Sequence, residues 1–199
     1  MTYFNHNVLF ELGYAVGKDR EILILLNENI ANAVNTYKDF FLKNIRYTSL
    51  TNSKDITAAL QNKNYERGLL SRFVNVARLS EESSDLLYIQ SKIRTQPSID
   101  LTQAIEDLRG TARFSIISDD SPEVAYRPKD WYFQNIVKSR CIVLHLLAAQ
   151  NSLGPLENAK NSFLAGLACG LDRKVLLIAP AKFKPPLDYH DILIQYRDS

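Results

Sequence analysis

A glutamate near the start of the chain stands where a carboxylate can meet a ligand. Asn7, Glu11, Tyr14 and Lys18 recur at spacings of four, three and four in "HNVLFELGYAVGK". On a helix starting near His6 that rhythm sets them along one face, with Val8, Leu12, Ala15 and Val16 as the expected apolar stripe. Glu11 precedes Gly13 by two residues, and an apolar run, "EILILL", follows at once. A helix of this kind crosses the C-terminal edge of a parallel sheet, where open α/β folds bind their ligands. The plainer role for Glu11 is a solvated helix glutamate. For Asn5 and Asn7 it is helix capping, and for Tyr14 it is packing.

The other reactive side chains suggest less. His145 lies among leucines and reads as a core histidine, His6 as a helix-start residue, and His190 falls in the tail. No Cys and His spacing resembles a zinc site, so no metal is expected. Gly154 stands alone and makes no phosphate loop. An amide-rich helix start at 158–161 retains the capacity to accept an anion. Trp131 and Tyr132 read as core or interface rather than as a base-stacking platform. Cys141 and Cys169 sit in apolar stretches and read as reduced core thiols, which favours a cytoplasmic setting.

The elements that would position Glu11 come with an internal repeat. Phe10, Gly13, Ala15, Gly17, Asp19, Arg20 and Leu23 return 153 residues later as Phe163, Gly166, Ala168, Gly170, Asp172, Arg173 and Leu176. An aliphatic strand follows each copy. Gly13 and Gly166 predict close approach of a neighbouring backbone, and Gly17 and Gly170 predict helix C′ positions. In the second copy Leu164 replaces the glutamate, and the polar face becomes Lys160, Leu164, Leu167 and Leu171. Those leucines are expected to be inaccessible, because on one helical face they would otherwise form an exposed apolar patch.

Between the copies the periodicity predicts a strand at 21–26, a helical stretch over 30–45, a strand near 46–50, a helix from about Lys54 and a further helical run over 66–79. The cluster "SEESSD" at 80–85 reads as a turn and lobe boundary. Strands at 85–90, 113–118, 141–148 and 174–179 then alternate with helices at 100–108 and 129–139, which predicts a parallel sheet covered on both faces. The tail, broken by Pro185 and Pro186, predicts a loop and one short helix. The fold class is therefore α/β, with two flavodoxin-like parallel-sheet lobes in tandem at 1–80 and 81–199. The first lobe lacks counterparts of residues 85–150 and is expected to be incomplete at its N-terminus. It would then leave an unpaired sheet edge or borrow strands from elsewhere.

The segment "NHNVLFELGYAVGKDREILIL" resembles nucleoside 2-deoxyribosyltransferases and the related TIR-like nucleotide hydrolases, which carry an "ELGYA" type of helix after an Asn-containing loop. The resemblance covers residues 3–26, with 161–178 as a divergent second copy. It implies that Glu11 is the nucleophile and that Asn5, Asn7 and Tyr14 contact the substrate, a nucleoside or a nucleotide, NAD included. A carboxylate beside C1′ stabilises the oxocarbenium-like transition state of N-glycosidic cleavage, or forms a glycosyl ester. No cofactor is implied. The acidic and small residues that this family takes from its first strand have no counterpart here.

The bulk composition bounds these readings. The 199 residues carry a formal charge of +2 with signs intermixed and no run of Lys or Arg, which argues against nucleic-acid and membrane partners. The start "MTYFNHN" has neither a basic nor an apolar leader segment. Two function classes stand: an N-glycosidase or deoxyribosyltransferase, and a non-catalytic nucleotide-sensing or oligomerisation module of a larger chain or a homo-oligomer, of the kind found in bacterial defence proteins.

Overall fold

The structure is a computed structural model that describes residues 5–40, 42–43, 45–62, 65–74, 83–90, 93–111, 113–119, 127–147, 154–181, 183–184, 189 and 191–196. The expected turn at 80–82, the run at 75–79, His190 and the two tail prolines lie outside the described residues.

The N-terminal part contains α1 (His6–Gly17), β1 (Leu25–Asn27), α2 (Ala33–Asp39), β2 (Thr48–Leu50), α3 (Ser53–Gln61) and α4 (Leu69–Phe73). Strands β1 and β2 pair in parallel as a two-stranded sheet. The remainder runs β3 (Ser84–Ile89), α5 (Gln96–Gly110), β4 (Ile116–Ser118), α6 (Lys129–Lys138), β5 (Ser139–His145), α7 (Gly154–Gly170), β6 (Lys174–Pro180) and β7 (Leu193–Tyr196). Its strands form one all-parallel sheet in the order β4-β3-β5-β6-β7. Strand alternation separates its two faces: Ile142, Leu144 and Leu177 join the core beneath α6 and α7, whereas Tyr88, Val143 and Leu176 pack with Ile105 of α5.

Several elements differ from the sequence expectation. The tail holds a fifth strand, β7, where a loop and short helix are expected; "LIQY" is four residues long, with its ends half-buried and Ile194 and Gln195 exposed. The first strand is ordered as a ladder only from Leu25, with Ile22 in an isolated antiparallel bridge to Glu66. The helical stretch over 30–45 shortens to the seven residues of α2. Helix α5 begins at Gln96 rather than near 100, because Thr95 and Ser98 cap each other's backbone amides.

The two repeat copies meet each other. Helices α1 and α7 run parallel, and residues equivalent under the 153-residue offset face one another. A Cβ on Gly13 would lie 2.0 Å from the Phe163 carbonyl oxygen, and one on Gly166 would lie 1.9 Å from the Phe10 carbonyl oxygen. One turn on, a Cβ on Gly170 would lie 3.0 Å from Gly17 Cα. Only glycine allows backbones this near, and the approach brings Cα–H groups against carbonyls, a weak attraction repeated on both sides of the pair.

Gly17 and Gly170 do not occupy C′, as the sequence suggested. The left-handed residues are Asp19 (φ 50°) and Asp172 (φ 57°). Each closes its helix in the same way: Arg20 N donates to Ala15 O and Arg173 N to Ala168 O, both at 2.9 Å. Asp19 N bonds Val16 O and Asp172 N bonds Cys169 O, both at 3.0 Å. This is the 6→1 and 5→2 pattern of a Schellman end. Aspartate tolerates the left-handed conformation, which leaves both glycines for helix contact. A single apolar cluster then runs through the pair, from Leu9, Phe10 and Ile22 to Phe133, Phe163 and Tyr189.

Candidate functional site

Asn5 caps α1, its Oδ1 accepting from Asn7 N at 2.9 Å. Its extended backbone lets the side chain fold back over the first turn. Asn7 Nδ2 donates to Glu11 Oε1 at 3.3 Å, so two of the expected site residues are in contact. The Asn7 oxygen is shut off from water, with no hydrogen-bond partner among the described residues. Glu11 itself is exposed. Tyr14, a turn further on, is 44% exposed, and the Lys18 ammonium lies 5.8 Å from its ring centroid. Lys18 Nζ donates to both carboxylate oxygens of Asp172, at 2.8 and 2.9 Å, which raises its pKa. The charged end of the polar face is therefore spent on joining the two copies.

The apolar stripe turns differently from the expectation. Leu9, Phe10, Gly13 and Val16 are buried, whereas Val8 is 56% exposed and Leu12 and Ala15 are half-buried. Burial follows the α7 contact through Gly13 and a smaller contact with α4, and neither is visible in one helix alone. Beside Glu11 lies a groove of about 270 Å³ between α1, β1 and α2. Asn5, Val8, Leu9 and Leu12 form its α1 wall, and Ile24 to Asn27 form its floor. Among the described residues no charged side chain lines it, and Glu11 stands outside it. Tyr37 contributes its ring, donates its hydroxyl to Ile45 O at 2.9 Å, and is pushed up to about 12 by burial.

No protein-family model, curated protein or solved structure matches the chain.

The matching face of the second copy is mostly covered. Leu164 and Leu167 are fully buried, as expected, and Leu171 is half-buried. Lys160, grouped with them by the sequence, is buried beside a charge the sequence reading missed: its Nζ lies 3.1 Å from Glu157 Oε1. The same ammonium sits 5.3 Å from the Tyr132 ring centroid, and Tyr132 donates to buried Asp119 at 2.5 Å. Burial first, then Asp119, raises the Tyr132 pKa. Glu157 and Lys160, three apart in an apolar helix, were the available signal for this cluster. The helix also starts a turn earlier than 158, at Gly154. Its amides are used by the chain: Asn158 bonds Leu147 N and O at 2.7 and 2.9 Å, and Asn161 Nδ2 donates to His145 O at 2.8 Å. His145 is a core histidine with Nε2 3.1 Å from Tyr196 Oη. Among the described residues no group of acidic, His or Cys side chains could hold a metal ion, and no helix is long and apolar enough to cross a membrane.

Proposed function

We propose that the chain is a non-catalytic interaction module, in which two copies of one flavodoxin-like α/β unit are clasped through α1 and α7 within a larger chain or assembly. The reciprocal seating of Gly13 against Phe163 and Gly166 against Phe10 carries this reading. Such contacts fix two units in one relative orientation, as a dimer interface does. The Lys18–Asp172 bridge pins the C-terminal ends of the pair. Burial pushes the Cys169 thiol up to about 11, which keeps it protonated as a packing group. Gly13→Leu and Gly166→Leu test the module: each should expand the chain in small-angle scattering, and Glu11→Gln should not. An unexpanded Gly13→Leu chain would refute the clasp.

The contact between Asn7 and Glu11 favours a second reading, N-glycosidic cleavage of a nucleoside or nucleotide. In it Glu11 attacks C1′ or stabilises the oxocarbenium-like charge, with Asn5, Asn7 and Tyr14 on the substrate. Release of free base from NAD or from a panel of nucleosides tests it.

A further inference from the structure

The 153-residue offset gives the groove beside α1 a specific meaning. Its α1 wall is Asn5, Val8, Leu9 and Leu12. The equivalent positions on α7 are Asn158, Asn161, Ser162 and Ala165, and all four are 0–3% exposed. They are buried over the sheet, and the two asparagines bond the backbone of Leu147 and His145 at the end of β5. In the first copy the same helical face looks into the groove, with Val8 56% exposed where Asn161 is fully covered.

The strand edges agree. Strand β6 pairs with β5 on one side and β7 on the other, whereas β1 pairs only with β2 among the described residues. Ile178 O accepts from Leu146 N at 2.7 Å, on the β5 side. Its equivalent is Leu25. Ile24 O accepts from Thr48 N at 2.8 Å and so faces β2. Backbone groups alternate between the edges of a strand, which turns the N–H and C=O of Leu25, and of Leu23 just before the strand, toward the edge of β1 away from β2. An apolar groove and a strand edge unpaired among the described residues thus share β1 and make one slot.

We infer that this slot receives an extended aliphatic strand from a partner polypeptide, added parallel to β1 as β5 is added to β6. The recognition chemistry is strand addition: backbone hydrogen bonds along Leu23 and Leu25 supply the pairing, and alternate aliphatic side chains fill the groove. The groove's lack of charge matches a segment like the chain's own Cys141–Leu147. The β5 of a second copy is not available for this, because it is already held between β3 and β6. The inference rests on reading the chain as an interaction module.

The probe is a synthetic peptide of residues 140–147 carrying Cys141→Ser, tested on the intact chain by amide hydrogen exchange and titration calorimetry. Saturable binding should slow exchange at Leu23 and Leu25 by roughly tenfold or more. The same peptide N-methylated at alternate residues, on the edge that pairs, should lose both effects. Val8→Glu, an exposed change that leaves the fold intact, should weaken peptide binding at least tenfold. No binding, equal binding of the N-methylated peptide, or protection elsewhere than on β1 would overturn the inference. Concentration-dependent dimerisation that protects Leu23 and Leu25 without peptide would overturn it in favour of a second copy. Scattering of the unliganded Gly13→Leu variant reports the helix clasp separately, so a failed slot and a failed module give different results.

Discussion

Substituting the paired glycines tests the α1–α7 contact at single-atom scale. Gly13→Ala places a methyl 2.0 Å from Phe163 O and 2.8 Å from Leu167 N. Gly166→Ala places one 1.9 Å from Phe10 O. Ordinary contact begins at 3.4 Å, so the helices must part by about 1.4 Å at Gly13. Overpacking a well-filled interior costs roughly 1–3 kcal/mol. The obstacle here is backbone on both sides, with no side chain to rotate away, so about 3 kcal/mol is expected for either variant. For a chain of this length that is a fall in Tm of about 6–12 °C. The double variant should fall by less than the sum, because once the pair is opened the second methyl meets space already made. Gly110→Ala is the control: nothing lies within 4 Å of its would-be methyl, and Tm should hold or rise slightly. Thermal unfolding followed by circular dichroism reads the four variants against the wild type. A Gly13→Ala chain melting with the wild type would show that α1 and α7 do not approach as described.

Two further perturbations address the second copy. His145 is fully buried and its pKa is lowered from 6.5 to about 4 by that burial. As pH falls below about 6.5 the unfolded chain takes up this proton first. Stability should therefore be full above that pH and drop by about 3 kcal/mol on descending to pH 4. His6, lowered by burial as well, acts in the same sense. Denaturant titrations at stepped pH should show that His145→Gln flattens this window, and an unchanged slope would refute the assignment. Tyr132→Phe removes a donor from buried Asp119 and should destabilise the chain by about 1–3 kcal/mol in the same titrations; a neutral effect would mean that Asp119 is satisfied without it.

The repeat carried much of the fold. Its glycines announced close backbone contact, and its aliphatic strands announced parallel pairing. What one sequence could not say is that the two copies contact each other, since that needs both helices in space. For the same reason the glycines that end the two helices look like caps in the sequence, whereas the left-handed position falls two residues on, at Asp19 and Asp172. Strand β7 was hidden by brevity and by the prolines before it. The candidate site was legible at Asn7 and Glu11, which are one helical turn apart and do meet. It was not legible at Val8 and Leu12, whose exposure depends on what covers the helix, nor at Glu157 and Lys160, whose burial depends on α6 and the sheet.

The central claim is that this chain binds rather than turns over, and free base released from NAD and from a nucleoside panel measures it most directly. Wild type and Glu11→Gln should give the same background, because Glu11 is exposed on the flank of an apolar groove with one amide as its hydrogen-bond partner among the described residues. Base released in multiple turnovers by the wild type and lost in Glu11→Gln would contradict the account and establish Glu11 as the nucleophile.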